Sequence, residues 1–549
     1  MMREARAALS PAAERSGAMF DLKAYYPAYS VREALRLGRK HPEARYIAGG
    51  SDLLIKLREG KLSDASLIGL RGVREAREIA LRTVRGREDV LCLGSLCTFA
   101  EIASNPLVKS LAPMLGRAVD QAGGPQLRNV GTIGGNICNG ATSADSAASL
   151  FAMNARLALA SLAESGEGDS DEVQIEEVSI HDFYKGPGRV ALKPGQLLTE
   201  IRIYPEDVQG FFGHYTKYSM REAMDIATLG CAVWCRFDQG LERVEDIRLA
   251  YGVAGPTPLR CPKAEAALRG QPAAEETFRL LGRLALEEIN PRDSWRASRE
   301  FRLRLAEELA VRGARSAYAQ AKAERQLTGE LGAAASALAD CLETEAAVPA
   351  APQMAAVPAA PLAAAAAGGG RYAILRCTVN GKPVEKPIDC RISLADFLRN
   401  ELGLTSVKKG CDVGECGACT VLLNGKSIDS CVYLAVWAEG SRILTTEGLA
   451  GADGELSPVQ QAFIDEAAVQ CGFCAPGLIM TATEIVDSGR KYTRQELRRL
   501  ISGHLCRCTG YQNILNAVEK VAGDPAREEG EPVIIAASQL PERGEERGK

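Results

Sequence analysis

Histidine is nearly missing from this chain. Only His41, His181, His214 and His504 occur in 549 residues, and none has a neighbour in sequence that suggests general acid–base work. No window reaches the roughly 18 unbroken apolar residues that a membrane-spanning helix needs. The opening "MMREARAALSPAAERSGAMF" is charged and Ala-rich and has no apolar signal core. Neither sign of charge dominates: 66 basic against 70 acidic residues leave a net of −4, with no overall bias toward nucleic acid or anionic membrane. These absences predict a soluble, cytoplasmic protein that meets its partners at local sites.

Cysteine, by contrast, is abundant. Seventeen in a chain without a secretory signature point to a reducing compartment and to thiols used for something other than disulfides. The chain is also too long for one hydrophobic core. A stretch composed almost wholly of Ala, Pro and Gly, "EAAVPAAPQMAAVPAAPLAAAAAGGG", divides it near 345 to 370. Its prolines and terminal glycines argue for a linker against a helix. Nine cysteines (Cys92, Cys97, Cys138, Cys231, Cys235, Cys261, Cys341, Cys377, Cys390) show no ligand spacing and read as ordinary thiols. The other eight all follow residue 410 and fall into two groups.

The first group is "CDVGECGACTVLLNGKSIDSC", in which Cys411, Cys416, Cys419 and Cys431 stand at C-x4-C-x2-C-x11-C. The first three reproduce the plant-type [2Fe-2S] ferredoxin spacing. Gly410, Gly414, Gly417 and Ala418 remove bulk, so the loop can wrap a cluster and turn N–H groups inward. Zinc would not require so much glycine, although it stays open as the alternative. "TVLLNGKSIDSC" predicts a hairpin turning at Asn424-Gly425, with the last ligand on its second strand. The second group is Cys471 and Cys474 in "QCGFCAPG" with Cys506 and Cys508 in "HLCRCTGYQNI". Here apolar residues recur at helical spacing, with Ser457 and Thr493 placed as N-caps. Two pairs at helix ends alone would favour zinc. Beside a ferredoxin-like loop, a second iron–sulfur site is the better reading.

Residues 371 to about 525 closely resemble the iron–sulfur portion of the molybdenum hydroxylases, the xanthine dehydrogenase and aldehyde oxidase family. The words "GCDVGECGACTV", "QCGFCAPG" and "LCRCTGY" match that family at every ligand. The resemblance implies a ferredoxin-like β-grasp domain followed by a four-helix domain, each with one [2Fe-2S] cluster. It also implies that Gln470 hydrogen-bonds a molybdopterin on a partner subunit.

Two glycine stretches mark the first half, "YIAGGSDLLIKLREG" and "GTIGGNICNGATSADSAASLF". Neither is a G-x-G-x-x-G fingerprint, so a Rossmann nicotinamide domain has no support. In the first, a short strand runs through Gly49-Gly50 into a helix-like segment, a way of aiming N–H groups at phosphate. Each alone could equally be a tight turn. Together they resemble the FAD-binding part of the same family over residues 20 to 325. Carried over by position, Tyr46, Ile47, Ala48, Gly49, Gly50, Ser51, Asp52 and Leu53, with Thr132, Ile133, Gly134, Gly135 and Asn136, would surround the pyrophosphate. Asp145 would bind the ribose or adenosine end, and Leu198 and Lys217 fall on flavin-contact positions; a core leucine and a solvated lysine are the alternatives for the last two. Thr98 and Glu101 read only as a helix capping box.

The expected fold class is thus a multidomain α+β chain. It comprises an extension at 1–19, a vanillyl-alcohol-oxidase-type FAD-binding domain at 20–205 and an α/β subdomain at 206–325. A linker at 326–370 leads to a β-grasp [2Fe-2S] domain at 371–450, a helical [2Fe-2S] domain at 451–525 and a polar tail at 526–549. No sequence is left over for a molybdopterin domain. The resemblance therefore implies an electron-transfer subunit with FAD and two [2Fe-2S] clusters and no catalytic triad. It would serve a large molybdopterin-bearing partner in an assembly such as (αβ)2. Purine substrates and NAD+ as acceptor are favoured by likeness to bacterial xanthine dehydrogenases. A molybdenum-free flavin/iron–sulfur NAD(P)H reductase is the first rival and a zinc-stabilised binding module the second.

Overall fold

The computed structural model describes residues 20–163, 171–338, 370–451 and 453–524. The expected extension, the tail, Cys341 and most of the linker lie outside them. The chain is a multidomain α+β protein.

The flavin half opens with a small parallel sheet in which Leu22–Pro27 and Arg45–Ile47 flank Ala65–Gly69. A five-stranded sheet follows, ordered Ile79–Val84, Arg87–Gly94, Leu197–Ile203, Arg156–Leu162, Val173–Ser179. Short helices follow: Ile133–Cys138 packs on strand Leu197–Ile203, Asp145–Ala152 packs on the sheet that comes next in the chain, and Pro125–Arg128 packs on strand Lys426–Asp429 of the iron–sulfur half. Thr98 and Glu101 form the expected reciprocal cap: the Glu101 N–H donates to Thr98 Oγ1 at 3.2 Å and the Thr98 N–H to Glu101 Oε2 at 2.7 Å. Next comes an antiparallel sheet, Phe211–Tyr218, Leu229–Phe237, Val244–Gly252 and Leu259–Arg260, against which the helix Arg299–Leu338 packs. That helix runs twelve residues beyond Gln326, so the first part of the expected linker is helical. The cause is local: "LTGELGAAASAL" is rich in strong helix formers and the next proline is Pro349.

In the iron–sulfur half a five-stranded mixed sheet is ordered Lys382–Asp389, Tyr372–Val379, Arg442–Leu444, Thr420–Leu423, Lys426–Asp429. The Asn424-Gly425 turn forms as expected, with φ of 52° and 83°, the left-handed pair that a two-residue hairpin needs. Cys431 is not on the second strand. Pairing ends at Thr420 opposite Asp429, because the partner chain before Thr420 is already the cysteine loop, and Ser430–Val432 forms a 3-10 turn. Four helices follow, Pro458–Asp465, Ala475–Asp487, Arg494–Leu500 and Gln512–Ala522. Ser457 and Thr493 cap the first and third, each in a capping box with Gln460 or Glu496.

The two halves share a core. Phe20, Leu22, Tyr25, Ile47 and Leu54 of the first small sheet and its helix pack in one apolar cluster with Leu375, Val421, Tyr433 and Trp437 of the β-grasp domain. Trp437 Nε1 donates to Tyr25 Oη at 3.1 Å within it. Burial on this scale, at about 25 cal/mol per Å² of apolar surface, makes docking of the halves part of the fold.

Candidate cofactor sites

The first cysteine loop is built around one sulfur. Cys411 Sγ accepts from the backbone N–H groups of Val413, Glu415 and Cys416 at 3.4, 3.2 and 3.4 Å. Hydrogen bonds from Cys416 and then Cys431 lower the pKa of the Cys411 thiol from its ordinary value. Such a curl requires a positive φ at Gly414, 72°, and at Gly417, 68°. Gly417 also has no room for a side chain, since a Cβ would stand 2.5 Å from Gly503 O and from His504 Nδ1. The thiols touch in the sequence Cys416, Cys411, Cys431, Cys419. Cys419 and Cys431 are buried and the other two half-buried. Asp429 lies under the loop, 3.9 Å from Cys419 Sγ, and burial, followed by charge at Cys411, pushes its carboxyl up to about 8.

The second group pairs across its two motifs: Cys474 touches Cys506, and Cys471 touches Cys508. Cys474 N-caps the helix Ala475–Asp487, whereas Cys471 and Cys508 are exposed. Tyr511 adopts a left-handed φ of 67° and is tied down on both sides, its hydroxyl accepting from the Cys506 N–H at 2.8 Å and donating to His504 O at 3.2 Å. Among the described residues no three or more His, Cys, Asp or Glu side chains are gathered to hold a single metal ion. In each group four thiols are brought together, a set that would hold a [2Fe-2S] cluster.

The two cysteine sites touch through the backbone. The N–H of Leu505, next to Cys506, donates to the carbonyl of Cys416 at 3.0 Å. Beside this contact lies a buried polar node that sequence reading missed. Gln126, from the flavin half, places its Nε2 2.7 Å from His504 Nε2 and 3.3 Å from both Thr420 Oγ1 and Thr481 Oγ1. Thr481 Oγ1 also lies 2.7 Å from His504 Nε2. Gln126 Oε1 and His504 Nδ1 in this node are buried without a hydrogen-bond partner, and burial pushes the His504 pKa down to about 3.

In the flavin half the structure brings the two glycine stretches together. Tyr46 and Ile47 end a strand, residues 48–52 form the turn, and Leu53 starts the helix Leu53–Arg58. Gly49 sits so near the 130–131 segment that a Cβ would stand 2.1 Å from Val130 O. Lys56 Nζ donates to Asn139 Oδ1, within the second stretch, at 3.0 Å. Thr132 caps the helix that contains Ile133, Gly134, Gly135 and Asn136, accepting from Gly135 N–H at 3.2 Å. The Ile133 and Gly134 N–H groups are engaged by Cys97 O and Ser95 O, at 3.1 and 2.8 Å. Asp145 and Lys217 meet: Lys217 Nζ donates to Asp145 Oδ2 at 2.9 Å and to Gln121 O at 2.8 Å, and Tyr215 Oη donates to Asp145 Oδ1 at 3.0 Å. The lysine is therefore not a solvated one, its side chain being 6% exposed. Leu198 is buried in the main core, and Gln470 is exposed beside Cys471.

Comparison with known proteins agrees with this division. Residues 18–205 match the family model of the FAD binding domain in molybdopterin dehydrogenase, and residues 214–317 that of the CO dehydrogenase flavoprotein C-terminal domain. Residues 377–443 match the 2Fe-2S iron-sulfur cluster binding domain and residues 445–519 the [2Fe-2S] binding domain. Over 308 residues, 56% of this chain, it is 36% identical to the whole of the xanthine dehydrogenase FAD-binding subunit of Escherichia coli O157:H7. Over 146 residues, 26% of this chain, it is 55% identical to 91% of the xanthine dehydrogenase iron-sulfur-binding subunit of the same organism. This chain belongs to the molybdenum hydroxylase family. Over 152 residues it is also 49% identical to 90% of the caffeine dehydrogenase subunit gamma of Pseudomonas sp. strain CBB1, across 27% of this chain. It is an oxidoreductase subunit of the electron-transfer kind, with parts for FAD and two [2Fe-2S] clusters, and it joins in one polypeptide what these relatives carry as separate subunits. Among the described residues no helix is long and apolar enough to cross a membrane.

Proposed function

We propose that this chain is the electron-transfer subunit of a purine-type dehydrogenase and works with a separate molybdopterin-bearing subunit in the cytoplasm. When bound, two [2Fe-2S] clusters carry single electrons and FAD collects them in pairs for an acceptor such as NAD+, so the chain conducts from the partner at its helical domain to the flavin. The observation that carries this reading is the back-to-back placement of the cysteine sites, joined by the Leu505 N–H to Cys416 carbonyl bond of 3.0 Å.

Cys411, Cys416, Cys419 and Cys431 would hold one cluster and Cys471, Cys474, Cys506 and Cys508 the other. The second site also faces outward. Val469, Phe473 and Leu505, 44, 46 and 49% exposed, lie within two residues of Cys471 or Cys506 in sequence and give that surface an apolar character, which suits a docked partner. Gln470 stands in the same surface, where it would hydrogen-bond the partner's pterin. In the flavin half, residues 46–53 and 132–136 present close-packed backbone to the pyrophosphate. The N–H groups of Ile133 and Gly134 already have protein acceptors, so that stretch would contribute close backbone approach through its small residues. Asp145, oriented by Tyr215 and Lys217, would take the ribose or adenosine end, and Leu198 would form apolar wall.

The test is metal and flavin analysis of the protein purified anaerobically from its host, with identification of what accompanies it. About four irons, two per [2Fe-2S] site, and one FAD per chain, with molybdenum on a larger companion and xanthine-dependent NAD+ reduction, is the expected result. The same iron and flavin with no companion would favour a molybdenum-free reductase, and zinc in the cysteine sites would sink both.

A further inference from the structure

The helix Leu53–Arg58 belongs to the flavin half and follows directly on the glycine stretch at 46–52. Its last residue reaches into the other half. Arg58 Nη2 donates to the carbonyl of Cys431 at 3.3 Å, and Nη1 lies 3.8 Å from Asp412 Oδ2. The guanidinium rests over the Phe20 ring, 4.3 Å from its centroid, which fixes its plane from the flavin side. One contact is thus on the fourth cysteine of the first iron–sulfur site and the other beside its first cysteine. The residues involved in the first contact are 373 positions apart, so it exists only when the halves are docked.

The Arg58 side chain is 14% exposed, and a guanidinium stays charged in a protein. Asp412 is shared, its carboxylate being held more closely by Lys409 Nζ, at 2.9 Å. Lys409 in turn pairs with Asp396 at 2.7 Å. A [2Fe-2S] cluster on four thiolates carries net negative charge and gains another unit on reduction. A fixed cation withdrawn from water therefore stabilises the reduced form more than the oxidised one.

We propose that Arg58 is a positioning residue for the first iron–sulfur site: it pins the Cys431 turn and raises the reduction potential of that site from the flavin half. The inference rests on reading Cys411, Cys416, Cys419 and Cys431 as a [2Fe-2S] ligand set. The half that receives the electrons thereby sets the potential of the site that delivers them, and an undocked iron–sulfur half would be a poorer acceptor.

The test is a redox titration of the full chain followed by low-temperature EPR, in which two clusters give separable signals, for wild type, Arg58→Gln and Arg58→Lys. Arg58→Gln is expected to lower the midpoint of one signal by about a tenfold change in its reduced-to-oxidised ratio, about 59 mV for a one-electron couple. The other signal stays in place, and Arg58→Lys keeps most of the wild-type value. If Arg58→Gln accumulates without iron, Arg58→Met, which keeps the apolar stem, is titrated with the same expectation. Unchanged potentials in an iron-replete variant would overturn the proposal. So would equal shifts of both signals, or an Arg58→Lys shift as large as that of Arg58→Gln. A wild-type chain with no iron–sulfur signal would instead overturn the ligand reading, a failure distinguishable from the others.

Discussion

Replacing Gln126 by Leu removes one amide from the junction of three domains at nearly constant volume. The amide nitrogen has two hydrogens for three acceptors, the closest being His504 Nε2 at 2.7 Å, with Thr420 Oγ1 and Thr481 Oγ1 at 3.3 Å. Two bonds' worth is lost. Thr420 keeps its own bond to Gly417 O at 2.7 Å, and His504 keeps Thr481, so no partner is wholly stranded. The cost is then roughly 1–3 kcal/mol against docking, not the sum of several unsatisfied groups. A loss of about 1–3 kcal/mol changes an opening equilibrium about 5–150-fold. Native-state hydrogen exchange reads this directly, because the interface amides exchange when the halves part. Peptides covering 125–131, 420–429 and 501–505 should exchange faster by that factor in Gln126→Leu, while those of the Phe211–Tyr218 and Leu229–Phe237 hairpin stay put. Gln126→Glu should cost more, since it buries a charge where no cation waits. Unchanged exchange in the three junction peptides of Gln126→Leu would refute the node as a determinant of docking.

Three further outcomes follow from single contacts. Gly417→Ala must fit a Cβ 2.5 Å from two backbone and ring atoms at a φ of 68°, so the first site should lose its iron while the second keeps its own, read as about half the iron per chain and one missing EPR signal. Lys217→Met leaves Asp145 buried without its cation, at a cost of about 3–5 kcal/mol, and should release FAD on dilution, followed by flavin fluorescence. Burial already raises the Asp145 pKa against the opposing Lys217, and removing that cation raises it further. The stability tied to a raised carboxyl is present below its unfolded value and lost as pH rises through the folded one, so the melting-temperature deficit of Lys217→Met should shrink on acidification. Val469→Glu puts charge on the exposed apolar surface beside Cys471 and should strip the molybdenum companion in gel filtration without lowering iron or flavin.

What could be read in the sequence was what depends on neighbours along the chain. The cysteine spacing, the Asn424-Gly425 turn and the caps at Thr98, Ser457 and Thr493 each involve groups a few residues apart, so residue type and interval nearly determine geometry. Lys217 shows the boundary of that method. As a letter it is a surface residue; only the fold reveals that strand Phe211–Tyr218 delivers it to Asp145, 72 positions earlier, and makes it a buried cation. The helix running on to Leu338 is a smaller miss of another kind, in which a change of composition was placed before the prolines that enforce it.

The junction of the halves was illegible for a reason that also explains its construction. Gln126, Arg58 and Trp437 are unremarkable in their own segments, and their partners lie 294 to 412 residues away. The signals that accompany them are steric: Gly503 is glycine where a Cβ would stand 1.9 Å from Gln126 Oε1, and Gly50 where one would stand 2.7 Å from the Trp437 ring. Small residues thus mark the places where the other half enters, whereas the large polar residues that enter carry no local pattern. Each of these contacts crosses the linker, so the linker need only keep the halves near one another. Specific docking comes from the buried polar node and the shared apolar cluster, and the same surfaces would serve halves made as separate chains. On this argument, cutting the linker in the intact protein should leave the halves associated, whereas Gln126→Leu combined with Arg58→Gln should let the cut halves separate on gel filtration. Halves of the wild type that part on cutting alone would show that the linker, not the interface, holds the electron path together.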